Sequence, residues 1–318
     1  MRVAVLLLTV FGLIAAAAVV GSVGVAPVAA AIRAIGVGGY AGYVAYTALV
    51  LALLGGAWRA VAPGGGPLAA YVWARTVREG ATDVLPFAQI GGLVVGGRAL
   101  TARGVASDLA YASMIADLTT EMASQLVFTL FGVGVLVLAL DGAFDSGGVL
   151  GLVLGGLGLT SALLAAFAYG QGPMLRLAGR IGATMLPASV ASLTAVQTRL
   201  AAIYRDPAAL AVSFGLNLAA WVASGVGAWL ALRLMGVAIS PVAVLAIESL
   251  IFAVRSIAFV VPGALGVQEG AYLLLAPLFG LDPQVAVALS LLKRARDLTI
   301  GVPALLAWQA GEGRKLLA

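Results

Sequence analysis

Ten ionisable side chains lie inside or beside apolar runs of this sequence, and their types define the chemistry open to it. Five are acidic, Asp117, Glu121, Glu248, Glu269 and Asp297, and five are basic, Arg98, Arg255, Lys293, Arg294 and Arg296. An Arg, Lys or Asp at the centre of a bilayer costs roughly 2.5 to 3.5 kcal/mol on insertion scales, so such residues persist where they pair or line a wet cavity. The two signs balance. A groove for a strongly anionic group would need surplus positive charge, so the set suits a neutral or dipolar one.

The spacing of these residues places them on helix faces. Ser113, Asp117, Thr120, Glu121 and Ser124 fall at i, i+4, i+7, i+8 and i+11, one stripe of a helix with 3.6 residues per turn. Two readings of that stripe stand side by side: binding or translocation of a substrate, and salt bridges that only tie helices together. Lys293, Arg296 and Asp297 share one side of a later helix, with Arg294 at its edge. Glu248 and Arg255, seven apart, lie nearly on one face and are expected to pair directly or through another charge.

Much chemistry is excluded. The chain has no Cys and no His, which removes thiol nucleophiles, imidazole bases, disulfides and the usual zinc or haem ligands. Only Asp117 and Glu121 form an acidic pair, without the Asp-rich motif that holds Mg²⁺ on a diphosphate. No P-loop is present, so direct ATP drive is not expected. We therefore assign no catalytic residue, no metal site and no cofactor.

The elements that must position these residues follow from composition. Hydrophobic residues make up 62% of the 318, and charged residues only 10%; a soluble domain carries about 25% charged residues. The expected fold class is an all-α, polytopic membrane protein, one domain over residues 1–318 with about seven or eight spans. The formal charge of +5 sits mostly in short loops, where positive-inside bias places it, and calls for no nucleic-acid partner.

In chain order, residues 3–20 read as a retained first span with a cytoplasmic N-terminus. Residues 37–58 form a second span, flanked at the interface by Trp58 and Tyr71. Residues 79–103 are broken by Pro86, Gly91, Gly92, Gly96 and Gly97, which suits a re-entrant hairpin. A long helix over 105–140 follows, then a span over 149–169 and a cytoplasmic basic loop over 170–206. Within that loop the stretch around Arg176 and Arg180 suits a short surface helix. Spans over 207–232 and 242–259 lead to a second break at Pro262, Gly263 and Gly266. A last long run ends at Trp308, with Arg314 and Lys315 cytoplasmic. Shifting the chain by 176 residues sets Pro86 on Pro262, Gly104 on Gly280, Asp117 on Lys293 and Glu121 on Asp297. This suggests pseudo-repeats over 71–140 and 240–310, the plan on which transporters build midplane sites. Four spans counted between the hairpins would bring both in from one face, and inverted repeats need an odd number, so inverted and parallel repeats both stay open.

From Arg255 onward, VRSIAFVVPGALGVQEGAYLLL with the later LSLLKRARDL resembles the transmembrane family of lysylphosphatidylglycerol synthases, whose signature is a Pro-Gly-x-x-Gly-x-x-Glu hairpin followed by a basic helix. It is most similar to the branch associated with hopanoid biosynthesis. LPFAQIGGLVVGGRAL resembles the family's first hairpin, with Leu93 where members carry an acid. The resemblance implies a bacterial inner-membrane protein whose relatives have a flippase domain moving an aminoacylated phospholipid between leaflets. It also implies that Pro262, Gly263, Gly266 and Glu269 form the family hairpin and that Arg98 fills the basic position after the first. The expected function is translocation of a polar or zwitterionic lipid, a functionalised hopanoid among the candidates, through a groove formed by Asp117, Glu121, Arg98, Arg255, Glu269, Lys293, Arg294 and Asp297. The expected partners are membrane lipids and lipid- or hopanoid-synthesis enzymes. An intramembrane lipid-modifying enzyme and a non-catalytic scaffold of a lipid-synthesis complex are the alternatives.

Overall fold

A computed structural model describes residues 25–84, 88–139, 187–257 and 266–317, with 158, 165, 169 and 264 as isolated positions. Expectations for the first span, the 149–169 span, the surface helix near Arg176 and the breaks at Pro86, Pro262 and Gly263 lie outside the described residues.

Among the described residues there are nine α-helices and no strand: α1 (Val25–Ala60), α2 (Leu68–Val84), α3 (Ala88–Thr101), α4 (Ser107–Ala139), α5 (Pro187–Ile203), α6 (Pro207–Leu234), α7 (Pro241–Ile257), α8 (Val267–Leu275) and α9 (Pro283–Leu317). The all-α membrane class follows directly. Among the described residues three helices are long and apolar enough to cross a bilayer: Ile32–Ala60 within α1, Ser107–Ala139 and Pro207–Leu234. The 35 residues of α9 are longer still, but Lys293, Arg294, Arg296 and Asp297 interrupt its apolar character.

Local chemistry sets the ends. Asp206 caps α6 by accepting the Ala209 N–H at 3.0 Å, and Pro207 follows where a missing N–H costs nothing. Glycines with left-handed φ close other elements: Gly104 before α4 (φ 90°), Gly236 after α6 (φ 79°) and Gly280 after the 3₁₀ turn Ala276–Phe279 (φ 80°).

Element order and packing repeat. Shifted by 176 residues, α4 falls on α9, and α1, α2 and α3 fall close to α6, α7 and α8. Neighbours correspond as well: α1 packs on α2 as α6 does on α7, α2 on α3 as α7 on α8, α4 on α7 as α9 on α2, and α4 on α6 as α9 on α1, while α1 and α6 pack on each other. One particular crossing makes the correspondence concrete. Gly80 of α2 meets Gly301 of α9 so closely that a Cβ on Gly80 would stand 2.7 Å from the Gly301 Cα. At the matching positions Gln125 of α4 donates to Ser256 of α7 at 2.5 Å.

Contacts along the helices fix their direction. Arg199, near the end of α5, holds Asp108 at the start of α4 at 3.0 Å, and Arg98, near the end of α3, holds Glu312, near the end of α9, at 2.6 Å. The starts of α4 and α6 and the ends of α1, α3 and α9 therefore share one face. From it α4 and α6 run together, as Thr120–Ser213 (2.7 Å) and Trp221–Ser124 (3.1 Å) require. They deliver the chain to the opposite face, where α7 begins and α8 ends. The α2–α3 hairpin thus enters from one face and the α7–α8 hairpin from the other. At 1.5 Å per residue the 17-residue arms α2 and α7 reach roughly 25 Å, short of a bilayer core of roughly 30 Å. This corrects the span assigned to 242–259, which is an arm of the second hairpin, and the start of the first hairpin, which is Leu68 rather than Glu79.

Trp58 and Tyr71 are also corrected. Both are fully buried, edge to face at 5.8 Å, and the Trp58 indole N–H donates to Ser113 Oγ at 3.0 Å, so neither serves as an interfacial anchor.

Candidate functional site

Helix α2 brings two arginines, Arg75 and Arg78, against the acidic stripe of α4. Arg75 Nη1 lies 3.2 Å from Asp117 Oδ2 and 3.1 Å from Glu121 Oε2, and its Nη2 is paired with Glu121 Oε1. Arg78 Nη2 donates to Glu121 Oε2 at 3.1 Å and its Nη1 stands 3.5 Å from Asp117 Oδ2. Asn217 of α6 donates to Asp117 Oδ1 and to Thr120 Oγ1, each at 3.2 Å. Arg75, Arg78, Asp117 and Glu121 are all buried. In a low-dielectric interior such pairing offsets desolvation only when the remaining donors and acceptors are also satisfied, and here Arg75 Nε, Arg78 Nη1 and Asn217 Oδ1 are buried without a hydrogen-bond partner.

Helices α7, α8 and α9 make a second buried joint, in which Lys293 stands 176 residues from Asp117 with the opposite charge while Ile251 and Val254 stand where the shift places Arg75 and Arg78. Here the long helix α9 carries the cations and the hairpin carries the acids. Lys293 is paired with Glu248 of α7, donates to Tyr272 Oη at 3.0 Å, and stands 5.0 Å from the centroid of the Phe252 ring. The Tyr272 hydroxyl donates to the other oxygen of Glu248. Arg294 donates to Glu269 Oε1 from Nη2 at 3.0 Å, and Glu269 Oε2 accepts the Gly266 N–H at 2.8 Å. Glu269 thus caps the helix that follows the second break.

Between the two joints lies a cavity of about 120 Å³, room for several water molecules. Six charged residues line it: Arg75, Glu79 and Asp83 from α2, Arg255 from α7, and Arg296 and Asp297 from α9. Each has a partner of opposite sign. Arg75 Nε is 2.7 Å from Glu79 Oε1, Arg255 Nη2 is 3.4 Å from Asp83 Oδ1, and Arg296 donates to Asp297 Oδ1 at 2.9 and 2.6 Å while reaching Tyr43 Oη at 2.9 Å. Trp221 and Phe252, with ring centroids 4.6 Å apart, supply aromatic wall. Among the described residues no group of His, Cys, Asp or Glu is arranged to hold a metal ion.

The residues singled out by sequence therefore divide. Arg255 and Asp297 line the cavity; Asp117 and Glu121 stand behind Arg75; Lys293, Arg294 and Glu269 belong to the joint of the second repeat. Arg98 lies apart from all of these, on a half-exposed pair with Glu312 at the end of the fold. Of the hairpin glycines, Gly92 packs on Arg78 and Thr82, Gly91 lies on α3, and Gly266 (φ 75°) precedes α8. Glu248 and Arg255 each pair elsewhere, and Lys293 and Asp297 do not pair with each other. Reasoning from sequence missed Arg75, Arg78, Glu79, Asp83, Tyr43 and Tyr272. Arg75, Glu79 and Asp83 fall at i, i+4 and i+8, a stripe as regular as the one on α4.

A helical membrane protein with a charged cavity lined from α1, α2, α6, α7 and α9 is the class this geometry defines. The chain matches the family described as the lysylphosphatidylglycerol synthase TM region over residues 3–304, and it belongs to that family. No curated protein and no solved structure matches it.

Proposed function

We propose that this chain translocates a lipid with a polar or zwitterionic headgroup between leaflets, the headgroup passing through the cavity while the acyl or polycyclic tail stays in the bilayer. Family membership points to a function in membrane lipid. The observation that carries the finer reading is the cavity, where three cations and three carboxylates from both repeats meet beside short hairpin arms that enter from opposite faces. Such a balance compensates a dipolar headgroup better than a net anion. A functionalised hopanoid satisfies the same requirement. Positive-inside bias puts the face bearing Arg59, Arg98, Arg103, Arg199 and Arg205 in the cytoplasm of a bacterial inner membrane, and with it the end of α9.

Purified protein in liposomes holding a trace of acyl-chain-labelled phospholipid tests the proposal. Labelled lipid should exchange between leaflets faster than in protein-free vesicles, and Arg255→Ala should slow that exchange while the variant stays folded. Exchange no faster than in empty vesicles, across neutral and zwitterionic lipids, would refute it.

A further inference from the structure

Asp83 and Arg255 stand at the inner ends of α2 and α7, the hairpin arms that enter from opposite faces. Among the described residues these arms pack on other helices rather than on each other: α2 on α1, α3 and α9, and α7 on α4, α6 and α8. The Asp83–Arg255 pair therefore bridges the two arms deep in the fold, at a cavity that both residues line.

Of the three carboxylates at that cavity, Asp83 is the least well held. It accepts one hydrogen bond, from Arg255 Nη2 at 3.4 Å, close to the limit for such a bond. Glu79 lies 2.7 Å from Arg75 Nε, and Asp297 accepts two bonds from Arg296, at 2.9 and 2.6 Å. Asp83 is also less exposed than Glu79. An ion pair away from water offsets desolvation only with good geometry and with its other lone pairs filled, and Asp83 has neither. A proton on such a carboxylate removes the charge, and with it the hold on Arg255.

The surrounding charges are few. Glu79 on the same helix and Asp297 on α9 oppose the ionised form, while Arg255 on α7 and Arg294 on α9 support it. From α1 and α6 the cavity receives Thr47, Trp221 and Ser224 but no charged side chain, and Arg98 of α3 is committed to Glu312. Asp117 and Glu121 of α4 act at one remove, through Arg75.

Building on the translocation reading, we infer that the chain carries a proton in each transport cycle and that Asp83 is the group that binds it. Asp83 takes the proton from water reaching the cavity on one side, which breaks the bridge to Arg255 and lets the arms part. It gives the proton to water on the other side, and the bridge forms again. Both the protonated and the ionised form are needed, so a side chain locked in either one halts the cycle.

The test uses the whole protein in liposomes with a trapped pH dye and a trace of acyl-chain-labelled phospholipid. With equal pH on both sides, native exchange should fall about tenfold for each pH unit above the titration of Asp83, the slope of one proton. An imposed pH difference should decay faster than in empty vesicles. Asp83→Asn, nearly the same shape, should exchange slowly with a flat pH profile and pass no protons, and Asp83→Glu should restore the slope. Infrared difference spectra between alkaline and acid buffer should show a protonated-carboxyl band that Asp83→Asn removes, a readout independent of lipid movement. Native exchange that ignores pH, or a proton flux no faster than in empty vesicles, would overturn the coupling and leave translocation standing. A pH slope and infrared band unchanged in Asp83→Asn would overturn the assignment to Asp83. No lipid exchange at any pH would overturn translocation, and the coupling with it. The native measurements need no variant to fold.

Discussion

Asp83 Oδ1 and Arg255 Nη2 meet at 3.4 Å, joining the inner ends of two hairpin arms that enter the fold from opposite faces. The pair is part-exposed, 17% and 23% by side chain, so it contributes little to stability. Its position gives it a different consequence. Arg255→Ala and Asp83→Ala should each slow lipid exchange by about tenfold, and the double variant should slow it by less than the product of the two, as expected of residues acting on one step. Exchange rates in liposomes across this double-mutant cycle measure the coupling.

Arg75 is held to a different standard because it is buried with Asp117 and Glu121. Arg75→Met leaves Asp117 and Glu121 to share Arg78, one cation for two buried carboxylates, which should cost about 3 to 5 kcal/mol. Thermal unfolding in detergent should show a large fall in Tm, partly recovered when Glu121→Gln is added.

Glu248 and Lys293 form the second joint. Glu248→Gln or Lys293→Met alone leaves a buried charge without its partner and should destabilise by about 3 kcal/mol or more. The double variant Glu248→Met with Lys293→Met should be less damaging than either. Denaturation midpoints of the three proteins check the order.

The Gly80 and Gly301 contact is between backbones, so no side-chain rotation relieves it. Gly80→Ala should cost about 1 to 3 kcal/mol through overpacking and narrow the cavity that both glycines line. Gly134→Ala, where an added Cβ meets nothing within 4 Å, should be neutral or slightly stabilising. Paired Tm measurements separate the two.

The chain lacks cysteine, so single introduced cysteines report sidedness directly. Cysteines at Gly64, Ala102 and Arg205 should react with an impermeant maleimide from one side of the membrane, and those at Gly236 and Asp282 from the other. Labelling of all five from one side would refute the opposed entry of the hairpins.

Most of α4 is legible in the sequence because a long apolar run and an acidic stripe of helical spacing coincide over it. The second hairpin is less legible. Residues 241–257 are apolar and nearly as long as a span, and only their packing against α8 shows that the chain turns back. Arg75 and Arg78 are hidden for the opposite reason. They lie in a stretch polar enough to resemble a connection between spans, and what buries them is α4, whose acids lie 42 and 43 residues away. Periodicity identifies a charged face, while its partner is set by tertiary packing.

The exchange of charge between the two joints has a consequence for biogenesis. Neither α2 nor α4 can be released into lipid alone without exposing ions whose transfer costs several kcal/mol. The cations of α2 must therefore wait, sheltered by the insertion machinery or by water, while the ribosome adds the residues that reach Asp117. The same delay recurs between Glu248 and Lys293, 45 residues apart. Insertion of this chain should advance in two stalls of similar length, each ending when a long helix arrives to neutralise the arm already made.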